Sequence, residues 1–260
     1  MTFNSASTQK TIQGFWITQG PDHESFFDEI SVSPAAPPGL DQVGTYAGWS
    51  GNFTWNGNDS PQDTQIFSDA LSGVNLNTPF PNSPTGRNLR MIANIIGARG
   101  PLSMNRQIFY LVRGGWDHHT EVLDSQDALF SEIDPAIGAF WDALVEMGLE
   151  DQVTLFTASD FGRTLTTNGR GSDHAWGGNQ CVVGGAVQGG KIAGAYPTLS
   201  TGTNLDVGRG RLLPTSSVDH YAAELASWFG VSGSDMPTVL PNVRNFFDPI
   251  STPRPLGFMR

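Results

Sequence analysis

The sequence predicts an α/β fold built on a mostly parallel sheet. Three segments carry that expectation. Gln107 to Val112 is a short apolar run bounded by polar residues and glycines, the pattern of a strand buried on both faces. Leu129, Ile133, Ile137, Phe140, Leu144 and Met147 then recur at steps of three and four, one face of a long amphipathic helix closed by Gly148. Val153 to Ala158 is the next apolar run. A strand, a helix and a strand in this order form a right-handed crossover between parallel strands.

The other elements follow from local signals. Residues 1–87 are Gly-, Asn- and Pro-rich and read as a loop-rich part of the same domain, with residues 88–260 as its core. Ile12 to Thr18 has the character of a short strand, residues 33–39 are a loop by their prolines, and residues 49–58 are turns with aromatic anchors. Ser60 and Pro61 start a helix that reaches Leu71. A Pro- and Asn-rich loop runs from Asn77 to Thr85. Leu89, Ile92, Ala93 and Ile96 mark a second helix, ended by Gly97 to Gly100. Gln180 to Val183 is a third strand of the core. Ser217 caps a last helix with Val218, Tyr221, Ala222, Leu225 and Phe229 on one face and Gly230 after it. The tail from Met236 is expected to be irregular. Neither repeats nor heptads are present.

Composition excludes several classes. The chain has 260 residues, 38% hydrophobic and 15% charged, enough for a sizeable core. A net charge of -11 argues against nucleic acid, which needs a basic surface. The single cysteine, Cys181, excludes an intrachain disulfide and is expected as a small core residue. No apolar run is long enough to span a bilayer. The first residues show neither the basic nor the apolar part of an export signal. A G-x-S-x-G elbow, a P-loop and a G-x-G-x-x-G fingerprint are all missing from the sequence.

The residues able to carry chemistry cluster after the two core strands. Asp117 and His119 follow the first, in Gly114-Gly115-Trp116-Asp117-His118-His119, and Asp160 follows the second. Asp173 and His174 lie on a Gly-rich loop beyond it. Ligands bind beyond the carboxyl ends of parallel strands, and neighbouring strands would bring these groups within about 5–10 Å. Asp oxygens with His nitrogens suit zinc, manganese or an iron-type ion, which polarises a phosphoryl or sulfuryl oxygen or activates a water. Arg163 and Arg170 are placed to clamp an anionic ester. Each residue also has a plainer role. Asp117 and Asp160 cap turns, Arg163 pairs with a local carboxylate, and His118 and His220 face solvent.

Gly-Gly-Trp-Asp117-His-His119, Thr-Ala-Ser-Asp160-Phe-Gly-Arg163-Thr, Gly-Ser-Asp173-His174-Ala-Trp-Gly-Gly, Gly184-Gly185-Ala-Val-Gln-Gly-Gly, the stretch from Leu212 to Asp219 and Trp228 to Val231 together resemble the domain of unknown function 1501 family. That family is bacterial, often exported, and similar to the alkaline phosphatase and sulfatase superfamily. The resemblance implies a three-layer α/β/α sandwich of the alkaline-phosphatase type with a mostly parallel sheet, and an N-terminal part of that fold that this sequence is expected to lack. It implies one or two divalent ions (zinc, manganese or calcium) held by Asp117, His119, Asp160, Asp173 and His174, with Arg163 steadying a small anionic ester or glycan. It implies a periplasmic or extracellular location. The chain departs from the pattern at Asn179 and Gln180, where the family often has histidine, and lacks the N-terminal turn and nucleophile. The expected activity is metal-dependent hydrolysis of phosphate or sulfate esters. The alternative is a non-catalytic exported binding protein, or an inactive fragment, that keeps the fold.

Overall fold

The computed structural model describes residues 10–17, 61–102, 104 and 106–260, with backbone alone for residues 10–17 and 61–66. The loop and turn expectations for residues 33–39 and 49–58 lie outside the described residues. The described chain runs β1 (Lys10–Ile17), α1 (Pro61–Ser72), α2 (Pro84–Gly97), β2 (Arg106–Val112), α3 (Val122–Glu146), β3 (Val153–Ser159), β4 (Gly162–Thr167), β5 (Ser172–Ala175), β6 (Val182–Val183), α4 (Val218–Phe229) and α5 (Met236–Val239). A 3-10 turn, Val243–Asn245, follows.

The main sheet has the order β2-β1-β3-β6. β1 is parallel to β2, with Trp16 opposite Val112, and parallel to β3, with Trp16 opposite Ala158. β2 and β3 are therefore mutually parallel but are not neighbours, because β1 lies between them. Their carboxyl ends still leave the same sheet edge, about 10 Å apart at two strand spacings. β6 pairs antiparallel with β3 at Leu155 and Phe156.

β3 divides the core. Leu155 and Val153 pack with Leu89, Ile92, Ala93 and Ile96 of α2 and with Ala136, Phe140, Ala143 and Leu144 of α3. Phe156 points to the opposite face, as strand alternation requires. There it meets Leu225, Trp228 and Phe229 of α4 and Phe258 and Met259 of the tail. Helices thus cover both faces of β3. The helical spacing read from the sequence is the buried stripe of α3, with Ile137 and Met147 at its margin.

Several boundaries differ from the sequence reading. α2 starts within the expected loop, because the Ser83 side chain accepts the Gly86 N–H and Pro84 supplies a preset first helical residue. The stretch carrying Asp173 and His174 is not a simple loop but a hairpin, β4–β5. The tail is not wholly irregular. Met236, Leu240 and Val243 are buried against Ala222 and Ala223 of α4, and that apolar contact stabilises the short helical turns. Cys181 is exposed rather than in the core. It sits just before the two-residue β6, at the sheet's edge. Among the described residues, no helix is long and apolar enough to cross a membrane.

Candidate metal centre

Two segments build the site, and both leave the same sheet edge. The first is the loop from Arg113 to Glu121 between β2 and α3. The second is the β4–β5 hairpin after β3. Backbone bonds stitch them together: Glu121 N–H donates to the Arg170 carbonyl at 2.8 Å, and Ser172 N–H donates to the His118 carbonyl at 3.3 Å. Gly171 is required at this seam. A Cβ there would lie 2.6 Å from the His119 carbonyl carbon, closer than side chains tolerate.

In the hairpin ladder Arg163 stands directly opposite His174. Cross-strand partners project to the same face of an antiparallel pair. Both side chains therefore reach one atom, Asp117 Oδ1. His174 Nε2 lies 2.6 Å from it, and Arg163 Nη2 donates to it at 2.7 Å. His119 Nε2 lies 2.9 Å from the same oxygen. Among the described residues, Asp117, His119 and His174 form the cluster of three donor atoms that suits a metal, all within 4.8 Å of one another. The imidazoles are half exposed, while the Asp117 side chain is only 13% exposed, so the cluster opens outward from a buried carboxylate.

Electrostatics keep Asp117 ionised. Burial raises its pKa, but the hydrogen bonds from His174 and Arg163 and the nearby imidazoles outweigh burial, and the net shift is downward. Asp173 is also held ionised, at about 2, chiefly by the hydrogen bond from Asn168 and then by Arg209.

Phe161 stacks on His174, with ring centroids 4.3 Å apart and planes at 10°. His174 also stacks on His119, with centroids 5.1 Å apart and planes at 27°. The second imidazole is tied differently. His119 Nδ1 lies 3.2 Å from Asp173 Oδ1, so its two ring nitrogens face two carboxylates.

The expected site residues divide accordingly. Asp117, His119 and His174 come together. Asp173 stands behind His119. Asp160 is exposed on the bend between β3 and β4, and its carboxylate is not among the clustered donor atoms. Arg163 makes its contacts within the protein, to Asp117, the Trp116 carbonyl at 2.7 Å and the Ser172 carbonyl at 2.9 Å. Arg170 is 73% exposed and 3.6 Å from Glu121. The neighbouring histidines reverse the expectation that His118 faces solvent. His118 is 6% exposed and its pKa is lowered by burial and then by Arg163, whereas His119 is exposed. His220 closes the capping box of α4 with Ser217 and stacks on Phe247 at 5.0 Å. It is a helix cap rather than a solvent-facing residue.

Sequence reading missed Asn168, Phe161 and Arg209. Arg209 lies in Gly208-Arg209-Gly210-Arg211, a segment that looks too short to matter as a charge patch. The available signal was Asp206, whose carboxylate accepts the Gly208 and Gly210 N–H groups, each at 2.8 Å, and shapes the turn that carries Arg209.

The chain matches the family described as "Protein of unknown function (DUF1501)" over residues 68–220, more than half its length, and it belongs to that family. The match includes Asp117, His119, Asp160, Arg163, Asp173, His174 and Arg209. No curated protein and no solved structure matches the chain.

Proposed function

We propose that this protein is a metal-dependent hydrolase of phosphate or sulfate esters, with an α/β/α sandwich of the alkaline-phosphatase and sulfatase type. The observation that carries the proposal is the convergence of Asp117, His119 and His174 beyond the carboxyl ends of the parallel strands β2 and β3. Helices on both faces of β3 support the sandwich.

The donors fit a divalent ion. Two ligands on one tetrahedral zinc lie about 3.3 Å apart, from metal–ligand bonds of about 2.0–2.1 Å. The pairs at 2.6 and 2.9 Å reach that spacing by side-chain shifts of a few tenths of an ångström. Two imidazoles and one carboxylate favour zinc or manganese over calcium, which prefers oxygen ligands. His119 lies between two carboxylates, Asp117 beside Nε2 and Asp173 beside Nδ1, and a neutral imidazole that gives its one N–H to Asp173 keeps Nε2 able to coordinate a cation.

A bound ion supplies Lewis acidity toward an ester oxygen and lowers the pKa of its water. Asp117 contributes the negative charge of the ligand set. Arg163 fixes its carboxylate by a charge-assisted bond and adds a positive charge that favours an anionic substrate. Phe161 holds the His174 ring plane, and the half-exposed imidazoles leave the centre open to a ligand.

The test is metal content by elemental mass spectrometry, followed by turnover of 4-nitrophenyl phosphate and 4-nitrophenyl sulfate. The wild type should carry close to one zinc or manganese per chain, and Asp117→Ala with His174→Ala should lose it together with turnover. Folded wild type that takes up neither ion overturns the reading. Stoichiometric metal without turnover of either ester leaves a metal-holding binding protein instead.

A further inference from the structure

The least explained charged group near the centre is Asp173. Its carboxylate is not one of the clustered donor atoms. It is nevertheless held by three side chains. Asn168 Nδ2 donates to Oδ1 at 3.0 Å, Arg209 Nη2 donates to Oδ2 at 2.7 Å, and His119 Nδ1 faces Oδ1 at 3.2 Å.

Both supports are themselves prepared. The Asn168 side chain accepts the N–H groups of Arg170 and Gly171 at 3.1 and 2.9 Å and donates to the His119 carbonyl at 3.1 Å. It therefore binds Asp173 and the backbone of His119 at once. Arg209 has φ of 63°, a left-handed conformation that costs a residue with a Cβ about 1 kcal/mol or more. The turn is held there by Asp206, which accepts the N–H groups on either side of Arg209, and by Thr166 Oγ1, which donates to the Arg209 carbonyl at 2.8 Å. Strained backbone persists where the surrounding structure over-determines it.

We propose that Asp173, set by Arg209 and Asn168, is a positioning residue that accepts the Nδ1–H of His119 and so leaves the Nε2 lone pair free for a metal ion held between it and Asp117. This rests on the proposed metal centre and assigns Asp173 a role outside the ligand set. A metal-binding histidine needs this arrangement, because a proton kept on Nδ1 leaves Nε2 free to coordinate. The Asp206 turn thereby controls a histidine in a different loop, through Arg209 and Asp173.

The experiment measures Zn2+ affinity by calorimetry, and the visible absorption of the Co2+-loaded chain, for wild type, Asp173→Ala, Asp173→Asn, Arg209→Ala and the Asp173→Ala/Arg209→Ala double variant. Thermal melts of the metal-free proteins identify any variant that fails to fold. Asp173→Ala should weaken Zn2+ binding by about 10–100-fold and keep the wild-type Co2+ spectrum. Asp173→Asn should recover part of the loss, because its amide oxygen accepts the same N–H. Arg209→Ala should weaken binding less, and the double variant should bind like Asp173→Ala alone. Unchanged affinity in Asp173→Ala overturns the positioning role while leaving the metal centre standing. A changed Co2+ spectrum makes Asp173 a ligand and also overturns it. A wild type that binds neither Zn2+ nor Co2+ overturns both the positioning role and the centre.

Discussion

Replacing Glu224 tests how the sheet face opposite α2 and α3 is held. Glu224 lies in α4 at 0% exposure. Its Oε2 accepts the N–H groups of Leu256 and Gly257 at 2.8 and 2.7 Å, and its Oε1 accepts that of Met259 at 2.7 Å. One buried carboxylate thus fixes the tail that places Phe258 and Met259 against Phe156 of β3. A hydrogen bond to a charged group contributes about 1.5–3 kcal/mol, so three sum to roughly 5–9 kcal/mol. Removing the charge also relieves its desolvation cost, and the freed N–H groups recover water if the tail lifts. The expected net loss for Glu224→Ala is about 3–5 kcal/mol. Glu224→Gln keeps the pair at one oxygen, turns its amide N–H toward Met259 N–H, and should cost about 1–3 kcal/mol. Urea unfolding followed by circular dichroism measures both, with an unchanged denaturant slope as the sign that the same surface unfolds. A Glu224→Ala loss below about 1 kcal/mol, or equal losses for the two variants, would refute the reasoning.

Two further predictions concern the site and its flank. Hydrogen bonds from Thr78 and Asn77 hold Glu146 at about 2 against an ordinary 4.5, and those from Asn168 and Arg209 hold Asp173 at about 2 against 3.8. Both pKa values are depressed, so the stability these contacts contribute is fully present above 4.5 and 3.8 respectively and is lost as pH falls through about 2. Carboxyl carbon shifts in an NMR titration should show both groups still ionised near pH 3, and ordinary midpoints would contradict the contacts. Gly171→Ala drives a Cβ into the His119 carbonyl and should weaken Zn2+ binding by roughly tenfold with the far-ultraviolet dichroism unchanged. Wild-type affinity in that variant would show that the seam between the two loops does not set the centre.

Periodic elements were legible from the sequence because their signals are local. The steps from Leu129 to Leu144 follow helix geometry, and Leu129, Ile133, Phe140 and Leu144 are buried, with Ile137 partly so. Ser217 and Gly230 mark the ends of α4 through capping and left-handed backbone, which need no distant partner. Asp117, His119 and His174 could be chosen by residue type and by their place after strands. Their meeting at one oxygen could not, since it depends on the ladder that sets Arg163 opposite His174.

By itself, the sequence determined the core strands and helices, the caps and the residue types available for a metal. Those properties depend on spacing of a few residues. The tertiary structure decided which chemically equivalent candidates share a site. It put β1 between β2 and β3, and it buried His118 while exposing His119. It left Asp160 outside the cluster and brought Arg209 in behind Asp173, 36 positions away. Carboxylates and imidazoles look alike along a chain. Strand order, hairpin register and loop docking distinguish them, and these arise from contacts between segments far apart in sequence.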